Sequence, residues 1–456
     1  MGYIHTELFP GITIGDFSPV HIMAVINLSP ESFYKQSYIA HEKISEKALR
    51  FIRQGATILD LGARSTAPWS DPITLKEEKN RIKNALNELK PILTEIPKSI
   101  MISIDTQYAE VAEVAIDFAQ DHPEKVKLII NDVSSFKTDP KLLDLVVENQ
   151  VPTIIMATER KPGDTKSIRD ILNALEQTYL QLEKKGYDMS HLIIDPGVGK
   201  WVKEKTYEYD LSILDNLEDF RAFACPILVG LSRKSFIGTT LDKKDPVNRD
   251  VGSIASTSIA VYNGAHIIRT HDITNEMQQT IKMASAIRKK PILAKKDEES
   301  QVCEYLKPFY YTRSAYQFLK NPYKVTPAGS RIMKNKMVLR YIILRNLTAP
   351  QALILKQEML ARGGECGIDK TVITTEWEKY QETHDVVLIG TIKQLESLIQ
   401  KLKGQSLKLD LIASLVENTL HKAENPKVLY SKDFSIVKPP FRLTKGKMVK
   451  KKKQKE

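Results

Sequence analysis

The carboxylates of Asp105 and Asp195 each close a short apolar run, and the amide of Asn131 closes another. A carboxylate can accept two parallel N–H bonds from a guanidine-like edge, and an amide adds a donor and an acceptor. Together they suit a flat, polar heterocycle. Lys234, Arg269 and His271 stand at or just past the ends of two later runs and form a cationic group that suits an anionic portion of the same ligand. Asn27 and Thr66 are neutral and could hold phosphate oxygens, or a Mg²⁺ ion through water. Each residue also has a plainer reading. Asp105 could cap the next helix, and Asp195, followed by Pro196-Gly197, could simply make a turn. Lys234 could be a solvated first-turn residue, and His271-Asp272 a helix-entry pair. Singly these readings stand; jointly they do not explain why so many polar groups end apolar runs.

The runs themselves are HIMAVIN (21–27), ATILDLG (56–62), SIMISID (99–105), VKLIIND (126–132), PTIIMA (152–157), HLIIDPG (191–197), PILVGLS (226–232) and HIIRTHD (266–272). Near-continuous apolar, β-branched runs read as strands buried on both faces, as in a parallel sheet. Between them lie stretches such as 109–120 and 168–186, whose apolar residues recur at three and four, the helical spacing. Eight β–α units of this size predict a closed (β/α)8 barrel over 1–288, rather than an open doubly wound sheet. In such a barrel the site forms at the C-terminal ends of the strands, where the polar residues converge.

Beyond the barrel, 289–335 reads as a charged linker followed by a helix rich in Tyr and Phe. A small α/β domain is expected over 336–425, with strands at MVLRYIIL, TVITT and DVVLIGT, and helices at APQALILKQEMLARGG, IKQLESLIQKLKG and LKLDLIASLVENTL. Residues 426–456 read as an extended, disordered basic tail. Lys445–Glu456 holds seven lysines against one glutamate, +6 of the net +11, so the remaining chain is near balance. No aromatic residue interleaves those lysines, which disfavours a nucleic-acid partner. Three cysteines far apart, Cys225, Cys303 and Cys366, argue against a disulfide framework. The N-terminus has no basic segment leading an apolar one, and no apolar run nears the roughly 18 residues of a membrane span. A cytoplasmic protein without a membrane partner is expected.

The strings at the strand ends resemble those of the dihydropteroate synthases: INLSPESF (26–33), GATILDLGARSTAP (55–68), SIDT (103–106), INDVSS (130–135), DPGVG (195–199), GLSRKSFIG (230–238) and NGAHIIRTHD (263–272). They keep the family's order and cover about residues 20 to 285. The resemblance implies a transferase that joins a hydroxymethyl-dihydropterin diphosphate to p-aminobenzoate or a related arylamine and releases pyrophosphate. It implies that Asp105, Asn131, Met156, Asp195 and Lys234 hold the pterin. Asn27, Thr66, Arg269 and His271 would grip the diphosphate, with Asn27 also placing Mg²⁺. Ser232, Arg233 and Ser235 would lie near the amine. Asp105, Lys234, Arg269 and His271 would carry the catalysis, and a homodimer is compatible with the family.

Two departures stand out. The usual G-G-E-S-T-R-P is Gly62-Ala63-Arg64-Ser65-Thr66-Ala67-Pro68, and the usual G-F-G-K after the aspartate is matched to Gly199-Lys200-Trp201. Both resemble the archaeal and anaerobe branch, where some members build methanopterin from a ribosylated arylamine. Two alternatives are weighed: methyl transfer from a pterin to a corrinoid, and a non-catalytic pterin-binding protein. The small domain resembles an accessory segment of some clostridial-type synthases, where it precedes the barrel.

Overall fold

The computed structural model describes residues 4–30, 43–64, 72–96, 99–288, 308–374 and 383–424, and the backbone alone of four further short strands. Thr66 and Ala67 lie outside the described residues. The chain opens with an antiparallel hairpin, β1 (His5–Phe9) and β2 (Ile12–Gly15). Pro10-Gly11 turns it, with Gly11 at φ +76°, a conformation glycine adopts without a Cβ penalty.

Eight parallel strands follow: β3 (His21–Asn27), β4 (Ile58–Gly62), β5 (Ile100–Asp105), β6 (Val126–Asp132), β7 (Thr153–Met156), β8 (Leu192–Asp195), β9 (Leu228–Gly230) and β10 (Ile267–Thr270). They pair in the order β8-β7-β6-β5-β4-β3-β10-β9, and a parallel bridge between Ile194 and Ile227 joins the two ends. Around them run α1 (Ile44–Arg53), α2 (Leu75–Glu95), α3 (Ala109–Asp121), α4 (Lys141–Asn149), α5 (Ile168–Lys184), α6 (Tyr207–Asp215), α7 (Ser235–Thr240), α8 (Asp250–Tyr262) and α9 (Asn275–Ile287). The barrel expected from the alternating runs is the fold observed.

The barrel is filled by one residue from every strand. Met23, Ile58, Met101, Ile129, Ile154, Ile193, Leu228 and Ile267 form a buried cluster with Leu8 and Ile14 of the hairpin. The hairpin therefore plugs the N-terminal mouth. It is tied down by Asp16, which accepts hydrogen bonds from Ile4 N (2.8 Å) and Arg221 (2.5 and 2.9 Å) and meets Arg288. Side chains alternate across a strand, so the residue two further on in each strand also faces inward. Those residues are Val25, Asp60, Ser103, Asn131, Met156, Asp195, Gly230 and Arg269. An apolar floor thus carries a mostly polar layer above it, at the open mouth.

The second body corrects several expectations. The stretch 289–300, read as linker, contains β11 (Ile292–Lys295), which pairs antiparallel with β12 (Val302–Tyr305). The aromatic helix is shorter than expected, α10 (Thr312–Lys320), and α11 (Pro327–Lys334) follows. Then come β13 (Leu339–Thr348), α12 (Ala349–Leu360), β14 (Glu365–Ile368), α13 (Thr371–Thr374), β15 (Thr383–Thr391), α14 (Ile392–Leu402) and α15 (Leu409–Glu424). TVITT, expected as a strand, starts as a helical turn because Asp369 accepts the backbone N–H of Thr371 at 2.7 Å, as a helix cap does. The tail, expected as disordered, includes a hairpin of β16 (Phe441–Thr444) and β17 (Lys447–Lys450).

The sheet of this body is antiparallel, in the order β13-β15-β14, and α12, α14 and α15 share its core. Helix α10 joins the two bodies. Lys320 pairs with Glu176 of α5 at 2.6 Å, and Phe318 and Ala315 pack with Ala222 of the barrel. Among the described residues no helix is long and apolar enough to cross a membrane.

Candidate active site

The polar layer is organised around Arg269. Its Nε donates to Asp60 Oδ2 at 2.6 Å, and its Nη2 reaches Asp105 Oδ2 at 2.7 Å. The other oxygen of Asp60 accepts Ser103 Oγ at 2.7 Å, and Asp60 is fully buried. Burial opposes the charge on Arg269, but the two carboxylates outweigh it and raise its pKa. For Asp105 burial dominates the other way and pushes the carboxyl up to about 7. Arg269 pulls it down, while Asp60, Glu78 and Asp132 push it up.

The sequence reading named Asp105 and Arg269 but missed Asp60. Its signal was available: Asp60 lies two residues past the floor residue Ile58, as Asp195 does past Ile193 and Arg269 past Ile267. It sits inside an apolar run rather than at its end, so a search of strand ends passes over it.

Across the mouth, Asp195 Oδ1 accepts Gly197 N at 2.8 Å. Burial raises its pKa, against the Gly197 N–H, Lys234, Arg269 and Lys205. Lys234 Nζ donates to Val198 O at 2.5 Å and lies 5.5 Å from the centre of the Trp201 ring. Burial pushes this lysine down to about 8, opposed by Asp195 and Asp210. Asn131 and Met156 are buried in the same layer, and Ser135 Oγ donates to Met156 O at 2.5 Å. Asn27, at the end of β3, accepts Ser29 N at 3.0 Å.

Two residues behave differently from expectation. His271 is no cation: burial, then the neighbouring charge of Arg269, push its pKa down to about 3, so the imidazole is neutral near pH 7. The cationic group at the rim is therefore Lys234 and Arg269. Arg233 holds the local scaffold. It sits at φ +57° and binds Asp272 (2.9 Å), Asp250 (2.7 Å) and the carbonyls of Pro246 and Val247. Lys200 is exposed, and the lysine that enters the site's support is Lys205, whose Nζ donates to Gly197 O at 2.6 Å. Ser232 is buried with its Oγ 3.5 Å from His271 N, and Ser235 opens α7.

Beyond β4, Arg64 pairs with buried Glu78 (2.5 Å), donates to Ile73 O (2.7 Å) and stacks 5.1 Å from the Tyr108 ring centre. Glu78 also accepts Thr106 Oγ1 at 2.7 Å. Arg64 therefore has a counterion of its own. Among the described residues no three His, Cys, Asp or Glu side chains gather as a metal site. A cleft of about 560 Å³ at the ends of β14 and β15, lined by Asp369, His384 and Asp385, belongs to the second body and not to this rim.

The arrangement pairs hydrogen-bonding carboxylates and an amide on one side with an arginine and a lysine on the other. Comparison with known proteins agrees with that chemistry. Residues 23–271 match the family model described as pterin binding enzyme. The chain is 31% identical over 294 residues to the dihydropteroate synthase of Synechocystis sp., covering 62% of this chain and 96% of that one. It is 32% identical over 284 residues to a folic acid synthesis protein of Pneumocystis carinii, of which it spans 36%. It also resembles the structure of a Coxiella burnetii dihydropteroate synthase in complex with pteroic acid. That likeness has a TM-score of 0.53 and 31% identity, over 62% of this chain and 98% of the other.

Proposed function

Since the chain belongs to the pterin-binding enzyme family, among the dihydropteroate synthases, we propose that it condenses 6-hydroxymethyl-7,8-dihydropterin diphosphate with p-aminobenzoate or a close arylamine. The observation that carries the reading is the polar layer above the apolar floor. The layer itself offers an acceptor for a guanidine-like edge at Asp195, an amide at Asn131 and a cation at Arg269, and Asp105 and Lys234 stand at the rim just beyond it.

In this reading Asp195 and Asn131 bind the 2-amino-4-oxo edge of the pterin, and Met156 packs on the ring. Asp105 and Lys234 complete the ring contacts. Arg269 and the neutral His271 face the diphosphate, with Asn27 and Thr66 beside it. The methylene–oxygen bond breaks and its electron pair leaves with the diphosphate. The arylamine nitrogen attacks the methylene carbon, and the resulting ammonium loses its proton to solvent. No protein nucleophile is needed, so rate comes from positioning and from the electrostatics of the departing anion. Ser232 and Ser235 flank the amine.

Asn27 is a single neutral ligand, which fits Mg²⁺ that arrives bound to the diphosphate and keeps most of its waters. Such an ion would neutralise charge on the leaving group. The pyrophosphate grip is what a pterin–corrinoid methyl transfer would not require, so that alternative gains no support from Arg269. Two barrels can pair through the exposed apolar residues Val251, Ile259 and Tyr262 of α8 with Met283 and Ile287 of α9. We place the protein in the cytoplasm, where the widely spaced cysteines stay reduced.

The decisive experiment measures pyrophosphate release from the pterin diphosphate with p-aminobenzoate and, separately, with a ribosylated arylamine. Release dependent on p-aminobenzoate supports the folate reaction. Release only with the ribosylated amine assigns the methanopterin branch. No release with either amine, in a protein that still binds pterin, refutes the transferase.

A further inference from the structure

The chain between Asp195 and α6 has no regular structure, and it turns through Gly197 at φ +76° and Gly199 at φ +126°. Yet three successive residues of it are each held by a side chain, one from the loop's own far end and two from beyond it. Gly197 O accepts Lys205 Nζ at 2.6 Å, Val198 O accepts Lys234 Nζ at 2.5 Å, and Gly199 N donates to Asp210 Oδ1 at 2.8 Å. Lys205 and Asp210 meet at 3.3 Å, with side chains 0% and 2% exposed. We propose that Lys205 and Asp210 are positioning residues for the pterin site, clamping this loop so that Asp195 presents its second carboxylate oxygen in a fixed direction.

The chemistry of the pair supports this. A buried lysine–carboxylate pair bears a desolvation cost, and apolar residues of the same volume often do as well or better for stability. What apolar residues cannot do is donate to Gly197 O or accept from Gly199 N. Gly197 is the link to the ligand, because its own N–H fixes Asp195 Oδ1 at 2.8 Å. Pinning Gly197 thereby pins the carboxylate. Lys234 enters the same loop from beyond the end of β9, and a Cβ on Gly199 would fall 3.0 Å from its Nζ, so the loop passes close against a rim cation. Lys205 also adds positive charge near Asp195, which favours its ionised form. The inference rests on the reading that Asp195 binds the pterin.

The test uses the full-length chain with Asp210→Asn, Asp210→Ala and Asp195→Asn, measuring affinity for hydroxymethylpterin, the KM of the amine and thermal melting. The amide introduced by Asp210→Asn keeps an oxygen for Gly199 N–H, so that variant should hold pterin affinity within about threefold even if unpairing Lys205 lowers its melting point. The alanine variant should lose about tenfold in pterin affinity while the amine KM moves less than about twofold. Wild-type pterin affinity in Asp210→Ala, or losses that simply follow the melting point in both variants, would overturn the clamp. If neither variant folds, hydrogen exchange of the wild-type segment 195–205 without ligand decides. Slow exchange is expected, and exchange as fast as an open loop overturns the proposal. Asp195→Asn separates the two ideas: if it binds pterin normally the site reading itself fails, whereas lost binding there with normal binding in Asp210→Ala defeats the clamp alone.

Discussion

Replacing Asp60 with Asn tests whether Arg269 is aimed by its neighbours or by the ligand. The substitution keeps the volume, and an amide oxygen can still accept Ser103 Oγ, now at 2.7 Å from Oδ1. The second position becomes an NH₂ facing Arg269 Nε, which lies 2.6 Å from Oδ2. A charge-assisted bond is replaced by donor against donor. Arg269 retains Asp105 at 2.7 Å, so one charged contact is lost rather than both. One such contact is worth about 1.5–3 kcal/mol. At about 1.4 kcal/mol per factor of ten, kcat/KM for the pterin diphosphate should fall roughly ten- to a hundredfold. Affinity for the unphosphorylated pterin should change little, because the pterin-ring residues are untouched. A second readout follows from Asp105, whose carboxyl is pushed up partly by Asp60. With Asp60 neutral, the acid limb of the kcat/KM profile should move to lower pH. Steady-state kinetics with both ligands, alongside a melting curve, measure all of this. A folded variant with wild-type kcat/KM and an unmoved acid limb would refute the idea that Asp60 sets the arginine.

Three further outcomes are expected. Asp195→Asn should weaken pterin binding by about 2–4 kcal/mol in calorimetry, since a charged acceptor becomes a neutral, mismatched one; near wild-type affinity in a folded variant removes Asp195 from the site. The kcat/KM profile for the pterin diphosphate should be bell-shaped. It should rise as Asp105, pushed up to about 7, loses its proton, and fall as Lys234, pushed down to about 8, loses its own. Lys234→Arg should displace the alkaline limb, while His271→Asn should leave both limbs in place, because that imidazole is already neutral; an acid limb abolished in His271→Asn would show that His271 is what titrates. Finally, the resemblance implies that the family's usual arginine at position 67 lies beside the amine site, so Ala67→Arg should lower the KM for p-aminobenzoate by roughly tenfold or more, by supplying a cation worth about 1.5–3 kcal/mol to its carboxylate. Arg64 is already paired with Glu78 and Lys200 is exposed, so neither is placed as a substitute; a low-micromolar KM in the wild type, worsened by the substitution, would contradict that reasoning.

The barrel was legible because its physics is repetitive. Eight runs of β-branched residues, each followed by a helical period, leave few folds that bury both faces of every strand. The boundaries of α3 and α5 fall within a residue or two of the stretches read from spacing alone. The second body was legible in its long elements, β13, α12, β15, α14 and α15, and less so in its short ones. Its strand β14 has four residues, one of them glycine, and carries no period of its own. TVITT has the composition of a strand, and only the aspartate two residues before it shows that a helical turn begins. There a local hydrogen bond outweighs β propensity, which is a statement about packing more than about backbone. The opening hairpin had a signal, Pro-Gly between alternating residues, but its burial depends on the barrel mouth it fills.

The site divides along the same line. Residues fixed by strand parity could be found from sequence, and Asp60 shows that parity is a better guide than position at a strand end. Once Ile58, Ile193 and Ile267 are recognised as one floor, Asp60, Asp195 and Arg269 follow as one layer. Residues in loops obey no such period. The short string after Asp195 carries a lysine at position 200 that is exposed, whereas the loop bends through two glycines at positive φ and brings Lys205 back onto Gly197 O. Charge states were the least legible of all. The type of His271 suggests a cation, but a histidine buried beside an arginine is held neutral by both desolvation and repulsion. Its contribution to a diphosphate site is then a single N–H, while the charge must come from Arg269. That places the burden of anion recognition on one guanidinium, shared in the ligand-free protein between Asp60 and Asp105. A diphosphate must compete with Asp105 for it, while Asp60, fully buried and hydrogen-bonded to Ser103 as well, keeps its own hold on the guanidinium.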